Sequence, residues 1–203
     1  MADLDLGTRE VVLKAFRPKA LYLSFFGIGN SKLREGAIGL IHETGLNSVV
    51  LDVKGDRGMI VYKSSVVLAQ QVGALQITTI HDPKSLLDRL HREHLYVVAR
   101  IVVFKDTPPA LARPDLAVKC GNGTIFRDRE NSAWTDPFNK EVWNYNIAIA
   151  VEAASLGFDE IQFDYLRFPD APALGLFAAE HDGKSAQCAD LFSQSSTQRA
   201  HAL

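Results

Sequence analysis

At 203 residues, the chain is long enough to bury one domain's core but short of the roughly 250 that a complete (β/α)8 barrel usually needs. Its 47% hydrophobic and 23% charged residues are those of an ordinary globular protein, and a net charge of −2 with scattered Lys and Arg excludes a basic nucleic-acid footprint. Two cysteines, Cys120 and Cys188, are too few for a disulfide scaffold or a Cys-rich zinc site, so no cofactor or metal is expected.

Residues 1–18 read as an N-terminal extension, acidic at its start and without an apolar export signal, and no stretch approaches a membrane span. A cytoplasmic chain with no membrane partner is therefore expected. Lys19 to Phe25 forms a first strand, closed by Gly27-Ile28-Gly29-Asn30, and Ser31 caps a helix to about Glu43. Ser48 to Val53 is nearly continuously apolar, as strands buried on both faces are. Lys54-Gly55-Asp56-Arg57-Gly58 turns the chain, Met59 to Tyr62 is a small β excursion, and Ser64 to Gly73 is a short helix or an irregular loop.

Asp82 and Pro83 open a helix to about His94. His91 and His94 stand at a metal-compatible i, i+3 spacing, but the run around them reads as a solvated face. Tyr96 to Phe104 is a third strand. A long loop from Lys105 to about Asp136 follows, of the kind that usually carries function or disorder. Pro137 opens a helix with Val142, Tyr145, Ile149 and Ala153 on one stripe, Gly157 ends it, and Ile161 to Phe163 is a fourth strand.

Alternating strands and helices imply an α/β fold with a parallel sheet. Four βα units over residues 19–169 make a partial (β/α)8 TIM barrel, and no further strand is legible after Asp170. Residues 170–203 read as a divergent tail without a sustained apolar stripe, expected to pack loosely or be disordered. Two open sheet edges would favour oligomers.

Strand alternation places ionisable groups late in each strand: Asp52 and Lys54 share a face, as do Val98 and Arg100, and Gln162 and Asp164. Lone buried charges are costly, so Asp52, Arg100 and Asp164 make sense if they converge at the carboxyl end of the strands, where α/β barrels keep their chemistry. A structural reading stays open: Asp164 capping a turn or pairing with Arg167, and salt bridges plugging the barrel end. Glycoside hydrolysis needs two carboxyl groups flanking the bond. Arg100 would hold a neighbouring carboxylate ionised. Arg167, Tyr165, Gln162, Lys54 and Trp134 are candidate substrate contacts, Trp134 by stacking on a sugar face or else as core, and Trp143 is core. A sugar-phosphate or nucleotide enzyme is disfavoured by the lack of a phosphate-binding glycine motif.

The runs Asn47–Lys54, Ala99–Asp106, Arg113–Lys119, Arg127-Asp128, Trp134–Pro137, Glu141–Trp143 and Gly157–Pro169, in this order, resemble the glycoside hydrolase-like domain family DUF4015. The resemblance covers about Lys19 to Pro169. It implies a TIM barrel distantly related to the α-amylase-like glycosidases, hydrolysis of O-glycosyl bonds in a polysaccharide, and a catalytic Asp at the end of strand four, matched here by Asp164. Asp52 is the only other strand-end acid on that face, and a stabilising role suits it. The family continues past Phe168-Pro169 with strands where a second carboxylate is expected, and 170–203 carries none of those blocks. A truncated enzyme or a non-catalytic carbohydrate-binding remnant is therefore expected, with little or no hydrolysis.

Overall fold

The computed structural model describes residues 16–169 and 176–177. Four parallel strands form one sheet in chain order: β1 (Ala20–Leu23), β2 (Ser48–Lys54), β3 (Tyr96–Val102) and, last in the sheet, Glu160–Asp164. Between them run α1 (Phe25–Gly29), α2 (Ser31–Glu43), α3 (Val67–Gln71), α4 (Pro83–Arg92), α5 (Thr107–Ala112) and α6 (Lys140–Leu156). The anticipated α/β architecture, with its strands adjacent and parallel, is present.

Val49, Leu51 and Val53 of β2 and Val97, Ala99 and Ile101 of β3 are all at most 1% exposed. They pack against Ile38 and Ile41 of α2, Leu87 and Leu90 of α4, and Ile149 and Ala153 of α6. Period-2 strands supply the alternate apolar positions and period-3.6 helices the matching stripes. A second cluster, Val103, Phe104, Leu116, Phe126, Trp134 and Trp143, extends the core beyond the end of β3.

Local chemistry sets the boundaries. The first strand ends at Leu23 rather than Phe25, because Ser24 accepts a hydrogen bond from the Gly27 amide and caps α1. Asn30, not Ser31, caps α2, its side-chain oxygen accepting from the Leu33 amide. Asp82 caps α4 as anticipated, accepting from the Ser85 amide. Gly157 ends α6 in the left-handed region at φ 112°. The segment anticipated as a long loop is ordered: after α5 come a 3-10 turn at Pro114–Leu116, the short strand β4 (Lys119–Cys120) and antiparallel bridges at Ala117–Thr135, Lys119–Ile125 and Arg127–Ala133. With β4 named, Glu160–Asp164 is β5, and β6 (Leu176–Phe177) pairs antiparallel with β4 rather than extending the parallel sheet. Otherwise the anticipated tail, the extension up to residue 15 and Cys188 lie outside the described residues. No helix among them is long and apolar enough to cross a membrane.

The turn after β2 depends on Gly58, at φ +76°, where an added Cβ would collide with the Asp106 carboxylate and meet Pro108 Cδ at 2.6 Å. Gly58→Ala adds left-handed strain to overpacking of a closed site, so we expect a loss of about 2–4 kcal/mol. Urea denaturation measures it; an unchanged midpoint would contradict this packing.

Candidate active site

The β-ladder aligns Asp52 of β2 with Arg100 of β3, and Arg100 with Gln162 of β5. Asp164, two residues after Gln162, lies on the same face at the end of β5. That face, turned away from the helices, carries the polar cleft.

Arg100 is the centre of the arrangement, its side chain only 11% exposed. Its Nε and Nη2 each lie 2.8 Å from Asp164 Oδ2, Nη1 donates to Asp52 Oδ1 at 2.7 Å, and Nη2 donates to Asp56 Oδ1 at 2.9 Å. Nη1 also reaches the Tyr22 hydroxyl oxygen at 3.3 Å. A planar guanidinium with five donors can serve three carboxylates at once. Burial opposes its charge, but hydrogen bonds to Asp52, Asp56 and Asp164 outweigh that and hold it protonated above its usual range.

Asp52 is almost fully enclosed, 3% exposed. Its Oδ2 accepts from the Tyr22 hydroxyl at 2.8 Å and the Phe25 amide at 2.9 Å. Burial pushes its carboxyl above the ordinary range, exceeding the pull of Arg100 and Tyr22. The anticipated dominance of Arg100 over this carboxyl is thus reversed by desolvation. Burial and the neighbouring Asp52 also push the Tyr22 phenol up, so it remains a donor.

Asp164 differs. Its side chain is 43% exposed, and its Oδ1 accepts from the Tyr165 amide at 2.7 Å. Tyr165 sits at φ 55°, an unusual left-handed conformation for a bulky residue. Strain of this kind clusters at functional sites. Arg100, Phe163, Asp164, Tyr165, Leu166 and Arg167 line a cleft of about 500 Å³, and Tyr22, Val50, Asp56, Arg100 and Gln162 line an adjoining space of about 380 Å³. Arg167 lies over the Tyr165 and Trp134 rings, 5.4 and 5.6 Å from their centroids.

Two of the anticipated contacts sit elsewhere. A register shift between Asp52 and Lys54 breaks the alternation, so Lys54 pairs opposite Ile101 and turns away from the cleft. It is fully buried, ion-paired with Asp106, and donates to Asn146 Oδ1 at 2.6 Å and to Val103 O at 3.5 Å. Trp134 is 2% exposed, with its indole N–H on Asp128 Oδ2 at 2.9 Å, and is core rather than a sugar platform. Trp143 is core as anticipated.

Asp56 escaped the sequence reading because an Asp inside Gly55-Asp56-Arg57-Gly58 looks like a turn former. The turn is closed by Gly58 N–H on Gly55 O at 2.8 Å and Gly55 N–H on Met59 O at 3.1 Å, and it presents Asp56, 49% exposed, to Arg100. Among the described residues, no group of three or more His, Cys, Asp or Glu is arranged for a metal ion. His91 instead faces Asp159 at 3.0 Å.

Over residues 20–199 the chain matches the DUF4015 family, described as a "Putative glycosyl hydrolase domain", and it belongs to that family. The match runs past Pro169, where the resemblance in sequence blocks ends. A hypothetical protein from Ruminiclostridium thermocellum is similar in structure, at 33% identity and a TM-score of 0.80, over 88% of this chain and 92% of that one. Two enzymes share the fold at lower identity. They are an alpha-galactosidase from Thermus thermophilus solved with p-nitrophenyl alpha-D-galactopyranoside (17% identity, TM-score 0.52, 76% of this chain and 32% of that one) and a cycloalternan-degrading enzyme from Trueperella pyogenes (15%, 0.50, 90% and 32%). The chain spans about a third of each enzyme. No protein with a curated description matches it.

Proposed function

We propose that the chain is a glycoside hydrolase acting on O-glycosyl bonds of a polysaccharide, with Asp164 as nucleophile and Asp56 as the second carboxyl group. One observation carries this reading: both half-exposed carboxylates contact the same nitrogen, Arg100 Nη2, at 2.8 and 2.9 Å. Their nearest oxygens are therefore no farther apart than the sum of those two distances. That bound suits the roughly 5–5.5 Å of a retaining pair better than the roughly 6.5–9.5 Å of an inverting one.

In the first step an Asp164 oxygen attacks the anomeric carbon, the glycosidic C–O bond breaks, and the departing oxygen takes a proton from the Asp56 carboxyl, which picks that proton up from solvent once bound substrate displaces it from Arg100 Nη2. Water then attacks the same carbon, Asp56 takes its proton, and the ester to Asp164 breaks. Asp52, enclosed and satisfied by three donors, positions Arg100 rather than touching the sugar. Gln162, Tyr165 and Arg167 are substrate contacts along the cleft. The four parallel βα units represent half of a (β/α)8 barrel, and association through the edges at β1 and β5 belongs to the same reading.

A second reading, a non-catalytic carbohydrate-binding domain, is favoured by one fact: each of the three acids already has an oxygen engaged by a single cation, Arg100. Activated aryl glycosides decide between the two. We expect turnover with retained anomeric configuration, reduced at least 10³-fold in both Asp164→Asn and Asp56→Asn. Glycan binding without turnover in the wild type would establish the binding reading. Equal turnover in wild type and Asp164→Asn would remove Asp164 from the site.

A further inference from the structure

On the β1 side of Arg100 lies a smaller pocket of about 190 Å³, lined by Tyr22, Phe25, Phe26, Asp52, Asp56, Met59 and Ile77 among others. It is continuous with the candidate site, since Tyr22, Asp52 and Asp56 belong to both. Its character differs. Tyr22, Phe26 and Ile77 are large apolar or aromatic side chains exposed by 48%, 60% and 52%, and all three meet at this one place. Exposed apolar surface gathered beside a polar cleft marks a contact site rather than scattered surface.

The walls are held in place. Phe25 and Phe26 stack edge to face, with centroids 5.0 Å apart at 82°. The loop carrying Ile77 is pinned at both ends: the Ile60 amide donates to Ala74 O at 3.0 Å, and the Thr79 and Ile80 amides donate to Val61 O at 2.8 and 2.7 Å. The Thr79 hydroxyl donates to Phe25 O at 2.9 Å, tying the loop to α1. Gly29 permits this approach, because a Cβ there would collide with the Thr79 side chain. Ile77 and Phe26 are therefore ordered apolar walls facing solvent.

An unsubstituted hexose would bring hydroxyls against Phe26, Met59 and Ile77, which offer them no hydrogen bond. A methyl group would find apolar contact there, while the rest of the ring kept the half-exposed Asp56 carboxylate beside it. We infer that this pocket is a specificity subsite for a methyl-bearing sugar, either an acetamido sugar or a 6-deoxy sugar, next to the bond held at Arg100. The inference rests on the hydrolase reading and assigns its substrate class.

Saturation-transfer NMR and titration on the whole chain test it with two matched pairs: methyl β-N-acetylglucosaminide against methyl β-glucoside, and methyl α-L-fucoside against methyl α-L-galactoside. One pair should show about tenfold preference for its methyl-bearing member, the gain typical of one well-housed methyl group, with the strongest saturation on the methyl protons. The first pair would identify an acetamido sugar, the second a 6-deoxy sugar. Phe26→Ala and Ile77→Ser, both at exposed positions, should each bring that ratio close to one. Equal binding within both pairs, or a preference that survives both substitutions, overturns the subsite and leaves the hydrolase reading standing. A wild-type chain that binds none of the four also overturns it, while the hydrolase reading is decided separately by turnover of the aryl glycosides.

Discussion

Replacing Arg100 with Met is expected to lower stability by about 2–4 kcal/mol and hydrolysis by at least 10²-fold, a joint loss that an ordinary surface cation would not cause. The stability cost comes chiefly from Asp52, which is 3% exposed and would lose the one cation paired with it among the described residues. Removing one partner of a buried pair leaves an uncompensated charge, at about 3–5 kcal/mol when burial is complete. Here the Tyr22 hydroxyl and the Phe25 amide still donate to Asp52, which reduces the cost. The rate cost comes from the other two acids. Asp56 and Asp164 both meet at Nη2 of Arg100, and without it two half-exposed carboxylates lose their shared placement. Arg100→Lys should recover little, because one ammonium cannot present the planar fork that reaches three carboxylates. Urea midpoints and aryl glycoside turnover measure both effects. A variant that kept its turnover would show that Arg100 is only a plug between strands.

Much of this arrangement is legible in the sequence because strand alternation is a strict rule. Asp52, Arg100 and Asp164 each fall on the even face of an apolar run, and the structure joins all three through one guanidinium. The rule fails where the ladder itself is irregular. Lys54 follows Asp52 by two and should share its face, but the register shift between them sends it toward α6. No local residue pattern marks that shift. Its consequence appears only in tertiary contacts: the Asp106 and Asn146 partners lie 52 and 92 residues away. Asp56 illustrates the converse. A turn Asp carries no periodicity, and only the fold of Gly55–Met59 shows that it faces Arg100. Burial misleads in a third way. Trp134 stands among polar loop residues, yet the bridges Ala117–Thr135 and Arg127–Ala133 fold that loop over it. Non-local pairing therefore decides which side chains meet solvent.

The buried pair of Lys54 and Asp106 should account for the other large effect, this time on stability alone. Both side chains are 0% exposed. Asn146 Oδ1 also accepts from the ammonium, the Tyr145 ring lies 4.8 Å from it, and Asp106 Oδ1 is buried without a hydrogen bond. Desolvation is the largest influence on each group. It pushes Asp106 up to about 6 despite the adjacent cation, and pushes Lys54 below its usual range. Lys54→Met should therefore cost about 3–5 kcal/mol, since the carboxyl left behind has no counter-charge. Lys54→Met combined with Asp106→Leu should restore most of that loss, because replacing both partners removes the desolvation penalty along with the attraction. The pH dependence has a defined sign. A carboxyl raised from 3.8 to about 6 on folding binds more protons in the folded state across that window. Its stabilising contribution is full below about pH 4 and lost as pH rises through 6. The stability of the wild type relative to the double variant should fall by on the order of 2–3 kcal/mol between pH 4 and 7. Lys54, lowered on folding, acts in the opposite sense. Urea denaturation of the two proteins across pH 4–7 measures the difference. A gap that stays flat, or widens in favour of the wild type as pH rises, would show that Asp106 remains ionised throughout and that its ion pair outweighs its burial.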